Sequence, residues 1–246
     1  PVLCEKPLAT TAPRAREVMQ MELALGRRLI SVGFMRRFDA THTAVKRALD
    51  AGAIGRPILF KGASRAAMMS PDLPIATIMS NSAIHDLDSA RWMLGTEVKE
   101  VFVRAIRTHA HFAPQARDLF LITMGFEGDT MVSIECAMAA EYGYDIEATI
   151  VGDKGVVETT QPNVALLRSK NVRGYAYPRD WLERFEHAYV AELEEWVASL
   201  HSGRPFSGAS AWDGYMACVL ADACTEAVMT GAVTLVPAQV RPQLYR

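Results

Sequence analysis

Residues 118–137 read Asp118-Leu-Phe-Leu-Ile-Thr-Met-Gly-Phe126-Glu-Gly-Asp-Thr130-Met-Val-Ser-Ile-Glu-Cys-Ala137. Strand-length runs of apolar, β-branched and aromatic residues lie on both sides of a Glu-Gly-Asp turn, which predicts two antiparallel strands joined as a hairpin, Asp118–Phe126 and Thr130–Ala137. Working outward, similar runs predict strands at Val98–Thr108, Asp145–Gly152, Val156–Thr160 and Val164–Arg168, and Gly152-Asp-Lys-Gly155 marks a second hairpin. The pattern reads as an antiparallel meander. Two helices are expected to close the chain, Asp180–His201 with Phe185, Tyr189, Leu193 and Val197 as a stripe, and an Ala-rich segment from Ala209 to Gly231.

Upstream of the hairpins the order differs. Val2–Cys4 is a short apolar run closed by Glu5-Lys6-Pro7, and Pro7 keeps Lys6 out of helical geometry. A helix follows from Thr11 to about Leu25, then a strand from Leu29 to Met35, then a helix opened by Phe38-Asp39 with Ala44, Val45, Ala48 and Leu49 on one face. A strand at Ile58–Ala63, a Met- and Pro-rich loop at 66–74 and a helix from Asn81 to Leu94 complete the chain. The class expected is α+β: a large open, mostly antiparallel sheet flanked by helices, preceded by the end of an α/β layer. Helices can cover only one face of such a sheet, so the other is expected to bind a second copy.

Composition excludes several functions. Half of the 246 residues are hydrophobic and 22% are charged, with 26 Lys and Arg against 28 Asp and Glu. There is no basic stripe for nucleic acid and no apolar run long enough for a membrane helix. Cys4, Cys136, Cys218 and Cys224 lack disulfide or metal spacing and read as reduced thiols of a soluble, cytoplasmic protein. None of the 16 glycines belongs to a GxGxxG, a P-loop or a GxSxG. His109 and His111 could share a strand face, but no third ligand lies near them in sequence, and no metal is expected.

Two places could carry chemistry. In Ser80-Asn-Ser-Ala-Ile-His85-Asp-Leu-Asp88, a helix would place Asn81 and His85 on one face as i and i+4. His85 is either a hydrogen-bonded structural residue or a proton-transfer group with Asn81 orienting it or a substrate hydroxyl. Lys6 stands at the carboxyl end of a buried strand, where α/β folds place ligands, or is a surface lysine.

Taken in order, Val2-Leu-Cys-Glu-Lys-Pro-Leu8, Val32-Gly-Phe-Met-Arg-Arg-Phe-Asp39, Ala83-Ile-His-Asp-Leu-Asp88 with Arg91-Trp92, Glu141-Tyr-Gly-Tyr-Asp145, Ile150-Val-Gly-Asp-Lys-Gly155 and Ala211-Trp-Asp-Gly-Tyr215 resemble the Gfo/Idh/MocA family of NAD(P)-dependent oxidoreductases, its inositol 2-dehydrogenase branch above all. The resemblance implies that residues 1–37 are a remnant of a dinucleotide-binding Rossmann domain whose glycine-rich loop would lie upstream. Residues 38–246 are then a domain for substrate binding and oligomerisation, giving a homodimer or homotetramer through the open sheet. It implies NAD or NADP as cofactor, near Glu5, Lys6 and Pro7, and a small polyol or sugar as substrate. Lys6 would hydrogen-bond the reacting hydroxyl and His85 would be the general base, with Asn81 beside them. Arg36, Tyr144 and Tyr189 match positions that line the polyol pocket.

Two positions depart from the branch. Asn81 stands where an Asp is usual, which removes a charge that would raise the basicity of His85. Ser64-Arg65-Ala66 replaces a strand end that supplies His and Asn to sugar hydroxyls, so a related polyol, sugar or sugar acid fits at least as well as myo-inositol. Other readings are a non-catalytic binding or oligomerisation module and a family member running a lyase or hydrolase cycle.

Overall fold

The computed structural model describes residues 1–67, 70, 73–160 and 165–246. Residues 68, 69, 71 and 72 of the expected Met- and Pro-rich loop, and Val164 at the start of an expected strand, lie outside them.

The chain opens with β1 (Val2–Glu5), α1 (Ala12–Leu25) and β2 (Ile30–Gly33). β1 and β2 pair in parallel, and a short strand at Ala209–Ser210 adds antiparallel to β2. β2 is shorter than its apolar run, because Met35–Phe38 winds into a 3-10 turn that delivers Asp39 as the N-cap of α2 (Ala40–Asp50). The Asp39 side chain accepts from the His42 N–H, satisfying one of the amides that a helix start leaves without a partner.

β3 (Pro57–Arg65) leads into a longer helical stretch than the sequence predicts. It begins at Ile75 behind Pro74, with α3 (Ile75–Ile78), a π turn at Met79–Ala83 and α4 (Ile84–Leu94) closed by Gly95 in the left-handed region. Ile78 and Met79 are core residues, so burial extends the helix upstream of Asn81. Then come β4 (Val98–Ile106), β5 (Leu119–Phe126), β6 (Met131–Ala137), β7 (Asp145–Gly152) and β8 (Val156–Glu158). A small hairpin, β9 (Leu167–Ser169) with β10 (Val172–Gly174), stands where a single strand was expected. The chain continues with α5 (Trp181–Ser202), β11 (Ala209–Ser210), α6 (Ala211–Thr230) and β12 (Thr234–Leu235).

The large sheet has the order β12-β4-β5-β6-β3-β7-β8. Both predicted hairpins are present as β5–β6 and β7–β8. It is not a simple meander: β3 lies between β6 and β7, parallel to the first and antiparallel to the second. The helices after β3 carry the chain away, so β4 starts at a distance and the slot beside β3 is filled later by β6 and β7. Hydrophobic alternation marks a strand and its faces but not its neighbours.

One face of this sheet packs Phe60, Phe120, Ile122, Ile134 and Ile150 against Leu87, Leu220 and Cys224 of α4 and α6. A second cluster joins Leu8, Ala15, Val32 and Phe34 to Trp212 and Tyr215 of α6, so the first 37 residues share a core with the last α-helix. Gly214 makes that approach possible: a Cβ there would lie 2.9 Å from Leu8 Cβ and from Val32 Cγ2. The sheet's other face is mixed rather than uniformly apolar, since exposed Leu121 and Met131 stand among Lys61, Thr123 and Glu147. Arg65 spans Glu135 and Asp145 across three strands at 2.7 and 2.8 Å, one reason the sequence overstates how greasy this face is.

Candidate active site

The end of β1, the 3-10 turn after β2, the end of β3 and the π turn converge on one cavity of about 570 Å³. A π turn inserts an extra residue into a helix and frequently marks a functional site; here it carries Asn81 and Ser82 to the cavity wall. Glu5, Lys6, Arg36, Asn81, His85, Tyr144 and Tyr189, all singled out in the sequence, line this space. Pro7 follows Lys6 through a cis peptide bond but is not part of the wall.

Lys6 reaches across 75 residues of sequence to Asn81, donating from Nζ to the backbone carbonyl at 2.6 Å and to Oδ1 at 2.9 Å. Two of its three ammonium protons are thereby used and one remains. Burial lowers its pKa to about 8, with the Glu5 carboxylate opposing and the Arg36 cation adding to the shift. Asn81 is therefore the partner of Lys6, whereas the sequence suggested that it orients His85 or a substrate hydroxyl.

His85 is buried, its ring edge-on to Phe34 at 6.0 Å, and its Nδ1 has no hydrogen-bond partner. Its pKa lies well below the usual value, first because burial disfavours the cation and then because Lys6, Arg36 and His42 add positive charge nearby. A lower pKa was expected from the amide at position 81; burial and these cations are the causes found. The ring is uncharged at neutral pH and free to take a proton.

Arg36 forms the floor. It is 3% exposed, donates from Nη1 to Asp86 Oδ1 at 2.6 Å and from Nη2 to Ser64 Oγ at 3.1 Å, and keeps Nε unpaired. Burial works to discharge it, but Asp86 and Tyr144 hold its pKa above the ordinary value. Burial also raises Tyr144, and pushes Tyr189 up to about 12 with the help of Glu5. Gly62 in β3 lies beside the same carboxylate: a Cβ there would meet Asp86 Oδ1 at an ordinary 3.7 Å but crowd Phe60 Cε1 at 3.1 Å and Ile134 Cγ1 at 3.3 Å.

Several residues escaped the sequence reading. Asp86 and Asp88 pair with Arg36 and Arg37 respectively, so the neighbouring arginines and the Asp-Leu-Asp spacing form one matched set. Charge complementarity between the two motifs was the signal available. Ser82, Met138 and the rim residue Arg179 carried none, and Asp180 and Trp181 were read as the start of a helix rather than as part of the rim. Glu192 of α5 is 1% exposed, has an unpartnered Oε1, and is pushed up to about 8 by burial and then by Glu5. His109 pairs with Asp118 at 3.1 Å and stands beside His111, and no group of three potential ligands is placed to hold a metal among the described residues. The four cysteines are unpaired, and no helix among the described residues is long and apolar enough to cross a membrane.

Residues 46–236 match the family model of the C-terminal alpha/beta domain of the Gfo/Idh/MocA oxidoreductases. The chain is 42% identical over 246 residues to an inositol 2-dehydrogenase of Rubrobacter xylanophilus, spanning all of this chain and 71% of that protein. It is 38% identical over 245 residues to inositol 2-dehydrogenase 2 of Saccharopolyspora erythraea, spanning 100% of this chain and 72% of that one. Among solved structures, myo-inositol dehydrogenase from Lactobacillus casei in complex with NAD(H) and myo-inositol superposes with a TM-score of 0.93 at 28% identity, covering 99% of this chain and 73% of its own.

Proposed function

The chain belongs to the Gfo/Idh/MocA oxidoreductase family, and from that premise we propose that it supplies the substrate side of an NAD(P)-dependent dehydrogenase acting on a secondary hydroxyl of a cyclic polyol or sugar. The observation that carries this reading is the meeting of the Lys6 ammonium and the uncharged His85 ring in one cavity floored by Arg36. Residues 1–37 then belong to the cofactor side and 38–246 to the substrate and assembly side.

Oxidising a secondary alcohol removes a proton from oxygen and a hydride from carbon, leaving a ketone. His85 takes the hydroxyl proton on Nε2, the ring nitrogen other than its buried Nδ1. Lys6 gives its remaining N–H to the same oxygen and stabilises the charge that develops as the proton leaves. Asn81 holds that ammonium in place, while Arg36 and Tyr144 bind hydroxyls away from the reacting carbon. NAD or NADP, when bound, supplies the hydride acceptor. The residues present suit its reacting end, since Glu5 and Lys6 border the cavity in which the reacting hydroxyl would lie. No glycine-rich loop among the 246 residues suits its phosphates.

The buried free thiols suit a reducing compartment such as the cytoplasm. The outward sheet face, with Leu121 and Met131 exposed, favours a homodimer or homotetramer; a monomeric mass by light scattering at micromolar concentration would remove that part of the proposal.

The test is reduction of NAD and NADP by the full-length enzyme that carries the dinucleotide-binding half, followed by nicotinamide absorbance, across inositol stereoisomers and simple sugars. Replacing His85 or Lys6 with Ala is expected to lower kcat/KM by about 10²- to 10⁴-fold. Near-native turnover by either variant would refute the role given to that residue. Polyol binding without turnover under any condition would favour a binding module instead.

A further inference from the structure

The turn that carries Arg36 into the cavity floor is gripped at both ends by α5. Phe34 and Asp39 bound the 3-10 turn Met35–Phe38, and α5 packs along it. At the Asp39 end, the buried Arg184 donates to Asp39 Oδ1 at 2.7 Å, its guanidinium carbon 4.4 Å from the centre of the Phe185 ring. About two helical turns further along α5, the buried Glu192 carboxyl receives the Phe34 N–H. Between these two holds, Phe185 stands 6.0 Å from the Arg36 guanidinium carbon. The Phe34 ring meets His85 edge-on. The one turn therefore sets two groups of the site, Arg36 directly and His85 through Phe34.

Glu192 lies among charges from three other elements, Glu5 of β1, Arg37 of the turn and Asp88 of α4, with Tyr189 one turn back on α5. Arg37 is committed to Asp88 by hydrogen bonds of 2.6 and 2.9 Å. Gly33 lets Glu5 come close: a Cβ there would lie 3.1 Å from Glu5 Cδ and Oε1. The two carboxyls thus meet adjacent residues of the chain, Glu5 at Gly33 and Glu192 at Phe34. Like charges so placed disfavour each other, and the group with less access to water keeps its proton. That group is Glu192, since Glu5 is exposed. We propose that Glu192 is a positioning residue of the site: as a neutral acid it holds the start of the 3-10 turn, so that Arg36 and His85 stand where the ligand meets them, and it leaves Glu5 as the anion beside Lys6. The inference rests on the dehydrogenase reading for the roles of His85 and Arg36; the hold on the turn follows from the geometry.

Two measurements test it on the full-length protein that carries the dinucleotide-binding half. With selective 13C labelling of glutamate and 15N labelling of phenylalanine, the Glu192 Cδ and Phe34 amide resonances are expected to titrate together with a midpoint near 8, and Glu192→Gln to remove most of the amide's shift. A Glu192 carboxyl that ionises in the ordinary carboxylate range, or a Phe34 amide that shifts equally in the Gln variant, overturns the inference. In turnover at pH 7, Glu192→Gln is expected to stay close to the parent. Glu192→Leu, which fills the space but cannot receive the N–H, is expected to lower kcat/KM about 10- to 100-fold at an unchanged melting temperature, raising KM through Arg36 and lowering kcat through His85. Glu192→Met serves where the Leu variant does not fold. A Gln variant that falls as far as the Leu variant, or a Leu variant that matches the parent, overturns the inference. A parent that turns over no polyol sinks the dehydrogenase reading instead, and the resonances, which need no substrate, then decide whether Glu192 holds the turn.

Discussion

Exchanging Asn81 for Asp tests the contact on which the proposed chemistry turns. Lys6 Nζ lies 2.9 Å from Asn81 Oδ1, so Asn81→Asp places a carboxylate oxygen directly on the ammonium without changing the size of the side chain. Coulomb's law puts the added attraction between about 1.4 kcal/mol in a water-like dielectric and about 6 kcal/mol at an effective dielectric near 20. Opposite charges this close move a pKa by about one to three units. The Lys6 pKa, lowered by burial to about 8, is therefore expected to rise to about 9–11. The sign for activity follows from the charged form being the useful one: kcat/KM of the unaltered protein falls as pH rises through about 8, and in the variant that alkaline limb moves upward. His85 sits beside the same charge, so the acid limb, well below the usual histidine range in the parent, moves upward too. Full pH profiles of kcat/KM at constant ionic strength, recorded on the best substrate of the panel, measure both limbs. Between pH 7 and pH 9 the ratio of variant to parent is expected to climb by up to about tenfold, because near pH 9 the parent retains only about a tenth of its ammonium. An alkaline limb that stays in place would show that the Asn81 contact does not govern Lys6, and would refute the reasoning.

Three further outcomes follow from buried groups. The folded-state pKa of Glu192 is raised from 4.5 to about 8, so the stability tied to its protonated form is fully present below pH 4.5 and is lost as pH climbs through 8. Glu192→Gln should leave the melting temperature nearly unchanged at pH 4.5 and raise it at pH 9, by an amount equivalent to roughly 3–5 kcal/mol. Asp86→Ala strands the buried Arg36 cation and is expected to cost about 3–5 kcal/mol in denaturant unfolding, together with weaker polyol binding. Gly214→Ala forces a methyl against Leu8 and Val32; a loss of about 1–3 kcal/mol, partly offset by better helix propensity, should appear as a melting temperature lower by a few degrees.

Much of the fold was legible because it is encoded locally. The Phe126–Thr130 and Gly152–Gly155 turns and the helix starts at Asp39 and Asp180 act within a few residues of themselves, and each is found where the sequence places it. The π turn was not legible, since nothing in the run Met79-Ser-Asn-Ser-Ala83 marks the extra residue of a π turn. The place of β3 in the sheet was not legible either, because strand alternation says nothing about which strand lies alongside.

The candidate site divides the same way. Lys6, Arg36, Asn81, His85 and Tyr144 could be picked out from residue type and motif order, and those choices required no coordinates. Their partnerships span long separations: Lys6 with Asn81 across 75 residues and Arg36 with Asp86 across 50. Those depend on where the end of β1, the turn after β2 and the π turn meet in space. The charge states are decided at the same stage. Side-chain identity sets a reference pKa, but the lowered values of Lys6 and His85 come from water excluded by the assembled walls and from cations that no local stretch of sequence brings together.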